Sequence, residues 1–211
     1  MRDLRLALIR HGATQWNASR RFQGRSDVPL SDEGRAQARA LAAALAGERF
    51  DAVYASDLVR AFETARIVAE PHRLAVVADE RLREFDFGAW EGLTWDEIVA
   101  SRPHLQDTGR TLARRYAPEG GETFEAVRAR VGAFFDGLGK AFAGRSQAHV
   151  AVVMHAGPLH AALEVLRLDP PRDGPPVSFA AASLTRVAME AGRPRLISLG
   201  DVRHLDTTRR P

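Results

Sequence analysis

Two histidines, His11 and His155, each follow directly on a short apolar run that predicts a buried β-strand. An imidazole with one unprotonated nitrogen can act as a nucleophile near neutral pH, because the ordinary pKa of histidine is about 6.5. Arg10 precedes the first histidine, and its guanidinium group suits phosphate oxygens. In α/β sheets, ligands bind beyond the C-terminal ends of the strands. Both histidines therefore lie where a ligand site is expected. An Arg-His pair at the end of a strand, taken alone, is usually only the polar beginning of a loop.

The sequence offers little for metal or thiol chemistry. It contains no cysteine, which excludes disulfides, thiolate metal sites and a cysteine nucleophile. His155 and His160 do not have the spacing of a helical ligand pair, and no cluster of acidic ligands accompanies them. We therefore expect no metal and no other cofactor, and we expect activity to survive a strong chelator.

Longer motifs around these residues carry a family resemblance. Residues 8–17, LIRHGATQWN, resemble the opening signature of the histidine phosphatase superfamily, the phosphoglycerate mutase-like proteins. Further blocks follow in the family's order and span most of the chain: FQG at 22–24, LSDEG at 30–34, SDLVRAFETA at 56–65, LREFDFGAWEG at 82–92, GGE at 120–122 and VMHAG at 153–157.

The resemblance implies a role for each residue of the motifs. His11 would be the nucleophile that receives the phosphoryl group, and Glu84 would protonate the leaving alcohol and then activate water. Arg10, Arg60 and His155 would complete the catalytic set by neutralising the phosphate, which carries close to two negative charges. The residues that would bind substrate around them are Asn17, Gln23, Gly24 and Ala156.

Two positions depart from the family pattern. The second-histidine block usually has Ser/Thr-His-Gly-Gly, whereas here Met154 and Ala156 flank the histidine. Alanine restricts the backbone more than glycine does, and methionine removes a hydroxyl. An asparagine is usual two positions before Ser183, where this chain has Ala181. Neither change touches the nucleophile or the proton donor, so both concern the lining of the pocket.

The resemblance alone does not fix the reaction. Sugar-acid mutases are expected to carry a Glu-Arg-x-Tyr-Gly type segment that grips the substrate carboxylate, whereas residues 84–88 are EFDFG. This segment fits phosphatases better, including those that resemble α-ribazole phosphatase and broad-specificity phosphatases. We predict a phosphomonoester hydrolase acting on a small-molecule phosphate monoester. The alternatives are a cofactor-dependent phosphoglycerate mutase and, from another class, a non-catalytic phospho-ligand binding protein.

The elements that must position these residues alternate between strands and helices. Apolar runs predict strands at 4–9, 51–55, 74–78, 149–154, 183–188 and 195–199. Periodic patterns predict helices at 31–46, 58–69, 94–101, 123–142 and 158–167. Ser31 is the expected N-cap of the first of these helices. The alternation predicts an α/β three-layer sandwich, with a mostly parallel central sheet flanked by helices.

We expect a single histidine-phosphatase domain over residues 1–211, with an inserted cap-like segment at about 95–121 and a frayed tail from about 203. The inserted segment contains a cluster formed by Arg110, Arg114, Arg115 and Tyr116. One hypothesis is that these arginines favour substrates with additional negative charge. A solvated basic helix face is an equal alternative.

The overall charge balance argues against nucleic acid as a partner. The 30 lysines and arginines exceed the 27 acidic residues by a formal charge of only +3, and the basic residues are scattered. No apolar run approaches membrane-spanning length, and the N-terminus lacks the features of a signal peptide. We therefore expect a cytoplasmic protein without a membrane partner. The oligomeric state stays open, with a homodimer as one expectation.

Overall fold

The computed structural model of the protein describes residues 3–108, 118–168, 177–190 and 192–206. The Arg110, Arg114, Arg115 and Tyr116 cluster lies outside the described residues. The strands are β1 (Asp3–Arg10), β2 (Ala52–Ala55), β3 (Val76–Ala78), β4 (Gln147–Met154), β5 (Leu184–Glu190) and β6 (Arg193–Asp201). The helices are α1 (Gln15–Ala18), α2 (Asp32–Leu45), α3 (Val59–Ala69), α4 (Trp95–Ser101), α5 (Phe124–Ala141) and α6 (Ala156–Val165).

The six strands form one mixed sheet in the order β3-β2-β4-β1-β5-β6. β3, β2, β4 and β1 run parallel to one another, whereas β5 is antiparallel to both β1 and β6. β1 lies near the centre, so that Leu6 pairs with Val150 of β4 on one side and Val187 of β5 on the other. This position brings the C-terminal ends of β1 and β4, and therefore His11 and His155, next to each other.

Alternating side chains of the central strands bury both faces of the sheet, because successive residues of a strand point to opposite faces. Leu6 and Leu8 of β1 join a core with the apolar faces of α5 and α6. Ala7 and Ile9 join a second core with α2 and α3. The molecule therefore has three layers, which confirms the predicted α/β sandwich.

Helix starts follow the local sequence. Ser31 caps α2 by accepting a hydrogen bond from the Gly34 N–H at 3.1 Å, and Asp32 and Glu33 occupy the first turn. These acids favour the positive end of the helix dipole. Within the described ranges, no helix is both long enough and apolar enough to cross a membrane.

Several element boundaries differ from the sequence-based expectation. α6 begins at Ala156, two residues earlier than expected, and Pro158 lies in its first turn. A proline is tolerated there because N–H groups of the first turn have no intrahelical acceptor. The four-residue helix α1 had no counterpart in the prediction. Outside the predicted helices and strands, the described residues form 3-10 turns at Glu70–His72, Glu80–Leu82, Gly88–Trp90, Pro103–Thr108 and Arg203–Leu205.

Candidate active site

His11 lies at the end of β1 and is buried, with 2% of its surface exposed. Its Nδ1 is 2.7 Å from the carbonyl oxygen of Gly12. Because a carbonyl can only accept, Nδ1 carries the proton, and in the neutral ring Nε2 keeps a free lone pair. Burial and then the charges of Arg10 and Arg60 lower the pKa of His11 well below 6.5. His11 is therefore neutral at pH 7, with a nucleophilic nitrogen available.

His155 lies beside His11 at the end of β4, and the two ring centroids are 5.0 Å apart. It is fully buried, and its Nε2 is 2.9 Å from the hydroxyl oxygen of Ser56. Its Nδ1 has no hydrogen-bond partner within the described chain. Burial and the charge of Arg60 lower the pKa of His155 well below 6.5. If Ser56 donates to Nε2, the proton of the neutral ring is on Nδ1, which then is a free donor.

Two arginines add fixed positive charge to this pair of rings. Arg60 is completely buried and donates from its two terminal nitrogens to the carbonyls of Ser26, at 2.8 Å, and Gly24, at 2.6 Å. Arg10 donates to the carbonyl of Phe179. The Nε groups of both arginines are buried and lack an acceptor among the described residues. Burial lowers the pKa of Arg60 to about 10, so it stays a cation at pH 7.

Glu84 reaches the site from the loop after the Glu80–Leu82 turn. Its Oε1 accepts from the backbone N–H of Gly157 at 3.1 Å, in the first turn of α6, and from Phe85 at 2.9 Å. Its negative charge raises the pKa of both Arg10 and Arg60 against the effect of burial. The carboxyl group therefore lies within electrostatic range of both arginines.

The glycine at 157 is required by this contact. A Cβ atom there would lie 2.3 Å from Oε1 of Glu84 and 2.4 Å from Cδ2 of Phe85. Ala156, by contrast, is the first residue of α6 and does not have a positive φ. An alanine adopts this conformation readily, so the departure from glycine at 156 does not disturb the backbone of the site.

A second carboxylate, Glu91, holds the loop that supports Arg60. Its two oxygens accept from the backbone N–H groups of Arg25, at 2.7 Å, and Ser26, at 2.8 Å, and from the Ser26 hydroxyl at 2.6 Å. It also accepts from the Phe87 N–H at 3.2 Å. Gly24 has φ +53°, and a Cβ at this position would clash with the Glu91 carboxylate at 1.9 Å. Glu91 thus fixes the carbonyls that bind Arg60.

Arg130 of α5 anchors the other side of the site. It donates to the backbone carbonyl of Glu84 at 2.9 Å and to that of Arg81 at 2.8 Å, while Glu122 accepts from its guanidinium at 3.0 Å and 3.1 Å. Glu122 also accepts from the Asp86 N–H at 3.0 Å. This network holds the backbone that carries the Glu84 side chain.

The sequence-predicted pocket residues have different environments. The Asn17 side-chain oxygen accepts from the Thr14 N–H at 2.9 Å, which leaves its NH₂ group outside this bond. Gln23 is buried, and its side-chain oxygen has no partner among the described residues. Gly24 contributes its carbonyl to Arg60. Ala181 lines a cleft together with Arg10 and Asn17.

Sequence analysis assigned no role to several residues that shape the site. Ser56 and Thr64 are fully buried, and Thr64 accepts from the Gly12 N–H at 3.1 Å and donates to the Arg60 carbonyl at 2.7 Å. Ser56, Thr64 and Glu91 lie inside the family motifs, which was the available signal. Arg130 lies on a helix outside those motifs, so nothing in the sequence pointed to it. In the described part of the chain, no three or more His, Cys, Asp or Glu side chains are grouped to hold a metal ion.

The sequence and the fold of the chain are both similar to those of known proteins. A model of the histidine phosphatase superfamily (branch 1) matches residues 6–202, which include all the site residues above. Phosphoserine phosphatase 1 of Hydrogenobacter thermophilus is 34% identical over 160 residues, 75% of this chain and 74% of that protein. Glucosyl-3-phosphoglycerate phosphatase of Mycobacterium tuberculosis is 42% identical over 130 residues, 62% of this chain and 58% of that protein. The solved structure of Bacillus stearothermophilus YhfR has a TM-score of 0.84 at 32% identity, covering 96% of this chain and 100% of that one.

Proposed function

Because the chain belongs to the histidine phosphatase superfamily (branch 1), we propose that it hydrolyses phosphate monoesters through a phosphohistidine on His11. One observation carries the assignment of residues. Three buried nitrogens beside the neutral His11 have no hydrogen-bond partner among the described residues. Nε of Arg10 and Nε of Arg60 carry a proton, and Nδ1 of His155 carries one if Ser56 donates to Nε2. An unsatisfied buried donor costs about 1–3 kcal/mol, and a phosphate group offers oxygens to all three.

The reaction follows in two balanced steps. Nε2 of His11 attacks phosphorus, the bond from phosphorus to the ester oxygen breaks, and Glu84 gives its proton to the leaving alcohol. The oxygen of water then attacks phosphorus, the bond from phosphorus to Nε2 of His11 breaks, Glu84 takes a proton from that water, and inorganic phosphate leaves. Arg10, Arg60 and His155 stabilise the charge on the transferred group in both steps. Asn17, Gln23 and Ala156 are proposed to contact the substrate nearby.

A mutase is not favoured. The segment after Glu84 has phenylalanines at 85 and 87, whose rings stack with centroids 5.7 Å apart. Phe85 is buried in the core. This segment offers no cation to a substrate carboxylate. The two curated relatives compared above are named as phosphatases, which supports hydrolysis.

We also propose that the protein works in the cytoplasm.

The test is release of inorganic phosphate from a panel of phosphate monoesters in EDTA, for the wild type and for His11→Ala. We expect release by the wild type and a loss of roughly 10⁴-fold or more in the variant, because the nucleophile is gone. His72→Ala, which removes a histidine far from the site, is the matched control and should keep wild-type activity. An alkaline quench and peptide mass spectrometry should locate the phosphoryl group on His11. Turnover by His11→Ala at the wild-type rate would refute the mechanism, and conversion of 3-phosphoglycerate to 2-phosphoglycerate would favour the mutase.

A further inference from the structure

A cleft of about 440 Å³ adjoins the proposed phosphate site. Two of its lining residues, Arg10 and Asn17, belong to that site, so a leaving group attached to the bound phosphate can extend into the cleft. The residues that line it are Arg10, Trp16, Asn17, Arg20, Arg21, Phe22 and Ala181. None of these described lining residues is acidic, whereas three are arginines.

The three arginines differ in whether another group already pairs with their positive charge. Arg21 forms two hydrogen bonds to the Glu97 carboxylate, at 2.8 Å and 3.2 Å, and a third to the Gly92 carbonyl at 2.6 Å. Arg10 is assigned above to the phosphate. Arg20 is exposed and forms no ion pair within the described part of the chain. Among the described residues, Arg20 is therefore the one arginine of the cleft whose charge is neither paired with a carboxylate nor assigned to the phosphate.

The backbone places Arg20 at the edge of the cleft. Its φ is +56°, in the left-handed region, and its N–H donates to the Asn17 carbonyl at 3.2 Å in the turn that follows α1. Trp16 and Phe22 offer apolar surface in the same cleft. Ala181, where asparagine is usual in the family, leaves additional room. The described lining of the cleft thus combines space, apolar surface and an arginine that has no ion-pair partner among the described residues.

We propose that Arg20 is a specificity-determining residue that selects phosphate monoesters whose alcohol portion carries a carboxylate. This inference rests on the proposed phosphatase function and names its substrate class. A carboxylate is a monoanion that accepts two hydrogen bonds from one guanidinium group, so it matches the single unpaired charge. Arg20 acts on the leaving group and has no part in the chemistry at phosphorus.

The test compares kcat/KM within two pairs of substrates that differ by a carboxylate. These are 3-phosphoglycerate against glycerol 3-phosphate, and phosphoserine against phosphoethanolamine. We expect the wild type to prefer the carboxylated member of at least one pair by about tenfold, the effect of one charge-assisted bond. Arg20→Ala should reduce that preference to near unity, mainly through KM. Arg39→Ala, which removes an exposed arginine of α2 outside the cleft, should keep it.

Binding separates this inference from the proposed function. The affinities of the same four compounds are measured by calorimetry in the His11→Ala background, with and without Arg20→Ala. A carboxylate preference that disappears with Arg20 supports the inference even if no monoester releases phosphate, an outcome that would refute the proposed function alone. Absence of any preference in both pairs, or a preference that survives Arg20→Ala, would overturn the inference.

Discussion

The two ends of the central sheet use the same types of side chain in opposite ways. At the N-terminal end, Glu48 pairs with Arg186 and lies 3.7 Å from His149, and Asp51 pairs with Arg145 at 2.8 Å. At the C-terminal end, Nε of Arg10, Nε of Arg60 and Nδ1 of His155 are buried and have no hydrogen-bond partner in the described chain. Grooves exist at both ends. Concavity and charge are therefore shared. Single unpartnered atoms also occur elsewhere, such as Nε2 of His72 beside Phe50, so it is the grouping of such atoms on Arg10, Arg60 and His155 that distinguishes the candidate site.

The strongest test of this comparison removes one arginine from each end. We expect Arg60→Ala to lower kcat/KM for a phosphate monoester by roughly 10²–10³-fold, because a preorganised donor to the transition state is lost. Arg186→Ala is the matched control and should stay within about twofold. Its cost should appear in the free energy of unfolding, by about 0.5–1 kcal/mol, as for a partly exposed ion pair. Equal losses of kcat/KM in both variants would show that the two ends of the sheet do not differ in function.

A smaller effect is expected from Glu91, which supports Arg60 without touching substrate. Glu91→Ala should lower kcat/KM by about tenfold, and Glu91→Gln should recover part of this loss because its amide oxygen still accepts hydrogen bonds. The decisive measurement is the double variant with Arg60→Ala. If Glu91 acts through Arg60, its replacement should have little further effect in that background. Full additivity would show that Glu91 affects kcat/KM independently of Arg60.

The smallest effect concerns stability at acid pH. The pKa values of His11, His155 and His149 are all lowered, first of all by burial. A histidine whose pKa is lowered in the folded state binds a proton more readily in the unfolded chain. The free energy of unfolding is therefore not reduced by this histidine above about pH 6.5, and it decreases as the pH falls below that value. The free energy of unfolding, measured by urea titration from pH 7.5 to 5, should decrease accordingly.

A variant of His149 separates the contribution of the N-terminal end of the sheet to this loss of stability from that of the C-terminal end. His149→Gln should remove a part of the loss, because the buried imidazole that must take up a proton on unfolding is gone, and should leave kcat/KM at pH 7 unchanged. A pH-independent stability in the wild type would contradict the burial of neutral histidines. A fall in activity in His149→Gln would connect the N-terminal end to catalysis.

Local patterns predicted the fold better than they predicted the site. The apolar run of β1 and the Ser31 cap depend on neighbouring residues, and both are confirmed. The start of α6 was predicted at Pro158, two residues too late, because a proline fits several positions in the first turn of a helix. The support of Arg60 by the Gly24 and Ser26 carbonyls joins distant parts of the chain, and no periodicity encodes it. The roles of the site residues came from motifs and remain predictions until the variants are measured.

The central position of β1 has a consequence for how the protein is made. The strand that leads to the proposed nucleophile is synthesised before both of its neighbours in the sheet, β4 and β5. Until they arrive, an apolar strand has no partner on either edge, and contacts so distant in sequence slow folding. A nascent chain that ends before β4 and β5 would therefore be inactive and prone to aggregate, and the catalytic apparatus would assemble only after both strands have been synthesised.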